Sequence, residues 1–472
     1  MLREVNLQRL ERAVTPHLRR GWTRAVFAAP QGEGQAPEQV VAGPGSDVAP
    51  SKEQLAAVFA AAREAAHAGL VKHTYVLDER RRVQVDARHG RPALRTLDEA
   101  VALKVMGGKD RTLRPDTSGA LLRAIGIMNA DGSISATHAR KYKQVNHLAE
   151  LCRPTWERLT AARPRSAAEP LRVLDLACGN AYLSFVLAEV LRQEGVPLRL
   201  HGVDVRDDVV TRSRERAATL GMADPGPDTT ITADPIASPE PIPTTTAITA
   251  DPIASPEPIP TTTSIAADPI SAEVTADPTT TQRRRPARAS VAAAEPGVPA
   301  PPATPRLSFA RATIAEAETS AAAALGGPPD LVLALHACDT ATDEALALAI
   351  RLGVPAVLSV PCCQHELAAQ LAKQDPAGAP VPALLAHGLL RGAYADLLTD
   401  SLRVEILNAC GYEVAVVEFV SSEHTAKNLL LRCHRRHPYA PVDQARWRLA
   451  PIQARCAQLG VSPDLLRRLL GT

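Results

Sequence analysis

Two short segments bring cysteine, histidine and carboxylate side chains close together in the chain. His336-Ala-Cys338-Asp339 leads into Thr342 and Asp343, and Pro361-Cys362-Cys363-Gln364 ends on His365. Each follows a short apolar run, DLVLAL and AVLSV, and neighbouring parallel strands would bring their ends together. Three chemistries are open to such a cluster. A zinc site would need four tetrahedral ligands, but the spacings are not those of a paired Cys-x-x-Cys site, so no metal is expected. A covalent role would use the thiolate of Cys362, yet the Asp-Ala-Pro-Cys context that would support it is missing. The third reading makes the cysteines small packing residues. It leaves the histidines to position an acceptor or remove its proton, as a side chain titrating near neutrality can. The third reading is favoured, with His336, Asp343, Cys362 and His365 as candidate catalytic residues.

A second constellation lies upstream. Asp175-Leu-Ala177-Cys-Gly179-Asn180-Ala181-Tyr182 follows the apolar run LRVL and precedes a helix-length segment. Gly179 lets the backbone approach a ligand closely, and strand–turn–helix is the context in which such a turn binds one. Asp204 ends the next strand-like run, LRLHGVD. A carboxylate there can accept both hydroxyls of a ribose; the alternative is a helix N-cap, which Asp207 fills as well. Ahead of both, Lys141-Tyr142-Lys143-Gln144-Val-Asn146-His147 reads as helix, with Lys141, Gln144 and His147 near one face. That face is either a substrate contact or a solvated surface.

These residues need a scaffold, and from Leu171 onward the pattern supplies one. Short apolar runs alternate with helix-length segments, the signature of a parallel sheet covered on both faces. The last two runs, YEVAVVEFV and NLLLRC, are separated by SSEHTAK, too short for a crossover helix, so they should pair antiparallel. The expected fold is α/β, a doubly wound, mostly parallel seven-stranded sheet, with its ligand beyond the carboxyl ends of the strands.

This order of elements, with its terminal antiparallel hairpin, resembles the class I S-adenosylmethionine-dependent methyltransferases over residues 137–435. The family pattern is Asp-x-Gly-x-Gly-x-Gly; Asp175 and Gly179 match it, while Ala177 and Ala181 stand in for the outer glycines. The resemblance implies S-adenosylmethionine as cofactor, held by Asp175, Ala177, Gly179, Asn180, Asp204, Thr313, Ile314 and His336. Ile314 would pack on the adenine, with Glu316 nearby. The two cysteine–histidine segments are similar to a group carrying His-x-Cys-Gly-x-Ala-Thr-Asp and Cys-Cys-x-His, which includes a tRNA ribose methyltransferase family; Asp339 replaces that group's glycine. That likeness implies an RNA substrate, tRNA or rRNA, contacted by Lys141, Lys143, Gln144, Lys427 and Asn428. Two other functions stay open: a small-molecule methyltransferase, and a non-catalytic adenosylmethionine-binding scaffold.

Around this unit, residues 1–136 read as an α+β accessory domain. It has a strand at GWTRAVFAA, a Gly/Pro-rich loop from Pro30 to Pro50, a helix capped by Ser51, a hairpin at HTYVLDERRRVQVDAR and a helix from Asp116 to Ile125. Residues 436–472 read as a helical extension. Residues 223–305 interrupt the catalytic unit. They hold 18 of the 40 prolines, no Leu, Phe, Tyr, Trp or Cys, and a unit (ITADPIASPEPIPTTT) that recurs every 17 residues. Such a segment cannot offset its ordering entropy and is expected to be disordered.

A net charge of +2 says little about partners. Between Leu70 and Val145, however, 15 Lys/Arg face 8 Asp/Glu, including the run Arg80-Arg81-Arg82. That excess is either a solvated surface or a footprint for a polyanion. Eight scattered cysteines and no apolar run of membrane-spanning length point to a cytoplasmic protein without a membrane partner. The oligomeric state is not legible.

Overall fold

The computed structural model describes residues 4–29, 38–78, 80–89, 91–96, 106, 108–109, 111–225, 304–335, 337–418, 429–436 and 442–471. The Pro-rich repeats, His336, Lys427 and Asn428 lie outside the described residues. Residues 1–224 and 301–472 cluster as one compact unit.

The first part of that unit holds α1 (Glu4–Leu18), β1 (Trp22–Ala28), β2 (Gln39–Gly45), α2 (Lys52–His67), β3 (Lys72–Val76), β4 (Arg81–Asp86) and β5 (Pro92–Thr96). The strands form an antiparallel sheet in the order β2-β1-β3-β4-β5. Leu10, Val14 and Leu18 of α1 and Phe59 of α2 share a core with Phe27 and Tyr75 of the sheet. Ser51 caps α2 in a capping box completed by Gln54. The Gly/Pro-rich stretch expected as loop contains β2. Its composition is tolerated because β2 is an edge strand, where a proline need not donate to a neighbour. Gly43 is also needed there, since a Cβ would lie 2.5 Å from the Trp22 ring.

α3 (Gly119–Ala124) and the long α4 (Ala136–Ala162) lead into the second sheet. It comprises β6 (Leu171–Leu176), β7 (Leu198–Asp204), β8 (Arg306–Arg311), β9 (Leu331–Ala334), β10 (Ala356–Ser359), β11 (Tyr412–Glu418) and β12 (Leu429–Arg435). Between them run α5 (Tyr182–Gln193), α6 (Asp207–Thr219), α7 (Ile314–Leu325), α8 (Thr340–Leu352), α9 (His365–Leu371), α10 (Pro382–Ala386) and α11 (Gly388–Ala409). α12 (Val442–Gln458) and α13 (Asp464–Leu470) close the chain. The strand order is β11-β12-β10-β9-β6-β7-β8; β12 is antiparallel to both neighbours and the other pairings are parallel.

Both faces of this sheet are apolar, and the period of two along each strand feeds two cores. Leu171 and Val173 of β6, with Leu331 and Leu333 of β9, face a core shared with α3, α4, α5 and α6. Leu174, Leu176, Val332 and Ala334 face the other, filled by α7, α8, α9, α11, α12 and α13. After β8 the chain returns past β6 to form β9, so the order reverses between β6 and β9. Ligands of doubly wound sheets bind at such a switch point. No helix among the described residues is long and apolar enough to cross a membrane.

Candidate functional site

The loop from β6 to α5 lies at that switch point. Ala177, Gly179 and Ala181 all have left-handed φ angles, 52°, 54° and 51°. The backbone therefore keeps a glycine-type shape although two of the three residues are alanine. Each alanine in that region is strained by roughly 1–2 kcal/mol, which the surrounding bonds must offset. Cys178 N donates to Val203 O at 2.9 Å, Ala181 N to Cys178 O at 2.8 Å, and Gly179 N to Asp204 Oδ2 at 2.8 Å. Asp204 Oδ1 accepts the Arg206 amide at 3.0 Å. Both carboxylate oxygens of Asp204 thus shape the loop, and each keeps acceptor capacity for a further donor.

Asp175 is buried at 2 % exposure, one strand from Asp204. Its Oδ2 accepts from Ser184, while Oδ1 has no hydrogen-bond partner among the described residues. Burial pushes its carboxyl up to about 7; the Ser184 bond lowers it and nearby Asp204 raises it. An unpartnered buried carboxylate oxygen at the carboxyl end of β6 fits a ligand that supplies a donor there. Above Asp204, Ala312 N donates to Asp204 O at 3.1 Å and brings the start of α7 beside it. Thr313 caps α7 reciprocally with Glu316, so those two polar groups satisfy each other and Ile314 is the apolar surface.

α4 runs alongside. The Lys141 ammonium lies 4.6 Å from the Tyr182 ring centroid, and the Arg216 guanidinium 5.2 Å from it. Arg216 also donates to Asn180 O at 2.8 Å, pinning the loop from α6. Lys141 and Gln144 are half-buried, while Lys143 and His147 are exposed. Tyr142 and Asn146, on the inner side, bond Leu113 through its carbonyl and its amide.

The two cysteine-bearing segments follow β9 and β10 and do converge. Cys338 Sγ lies 2.9 Å from Cys362 Sγ, and Cys362 Sγ 3.7 Å from Cys363 Sγ. Burial and the neighbouring thiols push Cys362 up to about 12, far from the depressed value that marks a nucleophilic thiolate. His365 opens α9 and is exposed. Asp343 belongs to a different environment. It is 3 % exposed and gives both oxygens to Arg403, at 2.9 and 2.8 Å. Arg403 also reaches Asp400 and the Asp339 carbonyl, each at 3.1 Å, and Gln364 donates to Asp400 at 3.0 Å. This buried network fastens both segments to α11, with Asp343 as one of its members.

The structure therefore groups Asp175, Ala177, Gly179, Asn180 and Asp204 in one cradle, with Ile314 and Lys141 bordering it. Cys338, Cys362 and Cys363 form a second group. Arg403, Arg216 and Ser184 carry much of the positioning and gave no signal in the sequence. Arg403 is 60 residues from its partner Asp343, and only the fold, which packs α11 against α9, brings them together.

Residues 140–370 match the family model described as a methyltransferase domain. No curated protein matches the chain. Among solved structures, the citrinin polyketide synthase CMeT domain is 12% identical with a TM-score of 0.28, covering 91% of this chain and 88% of that one. An O-methyltransferase family protein from Burkholderia thailandensis is 13% identical with a TM-score of 0.23, covering 68% and 67%. Strand order and switch-point loop give a Rossmann-like methyltransferase fold, and the family model matched by residues 140–370 is that of a methyltransferase domain.

Proposed function

We propose that this chain is an S-adenosylmethionine-dependent methyltransferase whose acceptor is RNA. The observation that carries the cofactor is the β6–α5 loop, with three left-handed residues tied to Asp204 and the unpartnered Asp175 oxygen beneath. Asp204 suits ribose hydroxyls, Ile314 an adenine face, and the loop amides a chain of atoms passing close to backbone. When bound, S-adenosylmethionine supplies an electrophilic methyl on a sulfonium. The residues around it have to align the acceptor and exclude water, which supplies much of the rate in an in-line displacement. In this reading His365, exposed at the start of α9, takes the acceptor's proton.

Support for RNA comes from the motif pair at Cys338–Asp343 and Cys362–His365 and from basic residues before the catalytic sheet. Arg80, Arg91, Arg95, Arg140 and Lys143 are exposed and have no ion pair among the described residues. By contrast Arg81 pairs with Asp78, and Arg82 donates to Asp131 O. Thiols as accessible as Cys338 suit a reducing cytoplasm. The decisive experiment is mass spectrometry of nucleosides from total RNA with and without the protein, preceded by calorimetry with S-adenosylmethionine. A methylated nucleoside that depends on the protein is expected. Cofactor binding with turnover of a small acceptor and no change in RNA would replace the RNA reading.

A further inference from the structure

The three thiols behind β9 and β10 have no packing explanation. Cys152, Cys178, Cys410, Cys433 and Cys456 are buried, as cysteines that pack usually are. Cys338 is exposed and Cys362 and Cys363 are half-buried, yet their sulfurs all lie within 4.8 Å of one another. We infer that Cys338, Cys362 and Cys363 form a binding site for one thiophilic divalent cation of the zinc type, with a fourth coordination position left to water or an incoming ligand.

Geometry carries the inference. Two thiolates on tetrahedral zinc, at about 2.3 Å from the metal, stand about 3.8 Å apart. Cys362 and Cys363 are already 3.7 Å apart, and Cys338, now 2.9 Å from Cys362, has to withdraw by roughly 1 Å to reach that spacing. The approach of the two loops is built rather than incidental. Asp339 sits at φ 53°, ψ −123°, outside the regions that L-residues favour. It is fastened there from two sides: its carbonyl accepts from Arg403, and its Oδ1 accepts the Glu366 amide at 3.0 Å. Glu366 follows directly on the segment carrying Cys362 and Cys363. Part of the backbone strain next to Cys338 is thus held by a bond to the residue that follows the segment presenting the other two sulfurs. The chain spacing that spoke against a metal becomes irrelevant once the fold brings the loops together.

Binding is a proton exchange with no redox change. Three S–H bonds break, three metal–sulfur bonds form, and the protons pass to the buffer. Among the described residues the site has three ligands, the number found in sites that keep a position for a further ligand. The inference does not depend on the identity of the methyl acceptor.

The test uses the tag-free full chain, reduced and stripped with a chelator. Because the other five cysteines are buried, an aromatic disulfide reagent should reach about three thiols in the native protein ahead of the rest, and one equivalent of Zn2+ should protect them until chelator is added. Co2+ should bind with thiolate charge-transfer bands and the visible spectrum of a four-coordinate ion, displaced by Zn2+. Proton release should accompany binding. Cys363→Ser should weaken Co2+ binding by about tenfold or more. If a variant fails to fold, the protection experiment on the natural chain decides. Fast thiols that stay reactive in stoichiometric Zn2+, or Co2+ bound without thiolate bands, would overturn the site. So would a reduced chain that takes no cobalt but closes a Cys338–Cys362 disulfide in air, which would make the pair a redox couple instead.

Discussion

Gly179 donates its amide to Asp204 Oδ2 at 2.8 Å, so the loop leaving the first strand of the catalytic sheet is tied to the carboxylate that ends the second. Asp204 is therefore expected to do two things at once, shape the loop and receive the cofactor's ribose.

Asp204→Ala should weaken S-adenosylmethionine binding by roughly 1–3 kcal/mol, the range for leaving buried polar partners unpaired. It should also lower folding stability, because the Gly179 and Arg206 amides lose their acceptor. Asp204→Asn keeps one acceptor oxygen and should fall between. Calorimetry and denaturant unfolding on the same preparations separate the two effects. An alanine variant with unchanged affinity would remove Asp204 from the cofactor site.

Asp175 should make stability fall as pH rises. Its folded carboxyl is raised to about 7, above its ordinary value of 3.8, because burial disfavours the charge. Below about 4 both folded and unfolded states are protonated, and the stabilisation relative to the ionised form is fully present. As pH climbs toward 7 the unfolded state ionises first and that contribution is lost. Asp175→Asn removes the titration. The stability of the variant relative to the natural chain should rise between pH 4 and 7, by an amount on the order of 2–4 kcal/mol, and then level off. Urea unfolding across that range measures it. A flat difference would mean that Asp175 is ionised in the folded protein throughout.

How much of this was visible beforehand depends on how local each feature is. Every strand of the catalytic sheet was marked by an apolar run, and the antiparallel return of β12 followed from the few residues before it. The left-handed loop at Ala177–Ala181 was legible from Asp175 and Gly179, although the alanines disguised it. What escaped was long-range or conformational. β2 hides in a Gly- and Pro-rich stretch because an edge position tolerates both. Arg403 meets Asp343 only through the packing of α11. The convergence of the Cys338 and Cys362 segments followed from their neighbouring strands, but the left-handed φ of Asp339 beside them is encoded by no periodicity.

Arg403 and Asp343 should behave as one structural element. Arg403 is 1 % exposed and bonds Asp343, Asp400 and the Asp339 carbonyl. Arg403→Ala leaves two buried carboxylates without their counter-charge and should destabilise the protein by roughly 3–5 kcal/mol. Asp343→Asn should do so by less, and a double-mutant cycle should give a coupling of roughly 0.5–3 kcal/mol. If Asp343 held a catalytic proton instead, Asp343→Asn would abolish turnover while leaving the unfolding midpoint in place.

The RNA reading makes a prediction about salt. Nucleic-acid affinity is dominated by phosphate contacts, and each contact releases counterions, so log affinity falls linearly with log salt. Among the basic residues before the catalytic sheet, Arg80, Arg95 and Lys143 are exposed and hold no ion pair among the described residues. Arg81 and Arg82 are engaged, by Asp78 and by the Asp131 carbonyl. Arg80→Glu, Arg95→Glu and Lys143→Glu should therefore weaken RNA binding more than Arg81→Glu or Arg82→Glu. Each lost phosphate contact should reduce the slope by about 0.7–0.9. None of the three touches the β6–α5 loop, so cofactor affinity should stay unchanged and report that the fold is intact. The measurement is RNA binding across a salt series for the natural chain and each variant. Salt-insensitive binding, or a slope that the three reversals leave in place, would move the acceptor from RNA to a small molecule while leaving the methyltransferase assignment standing.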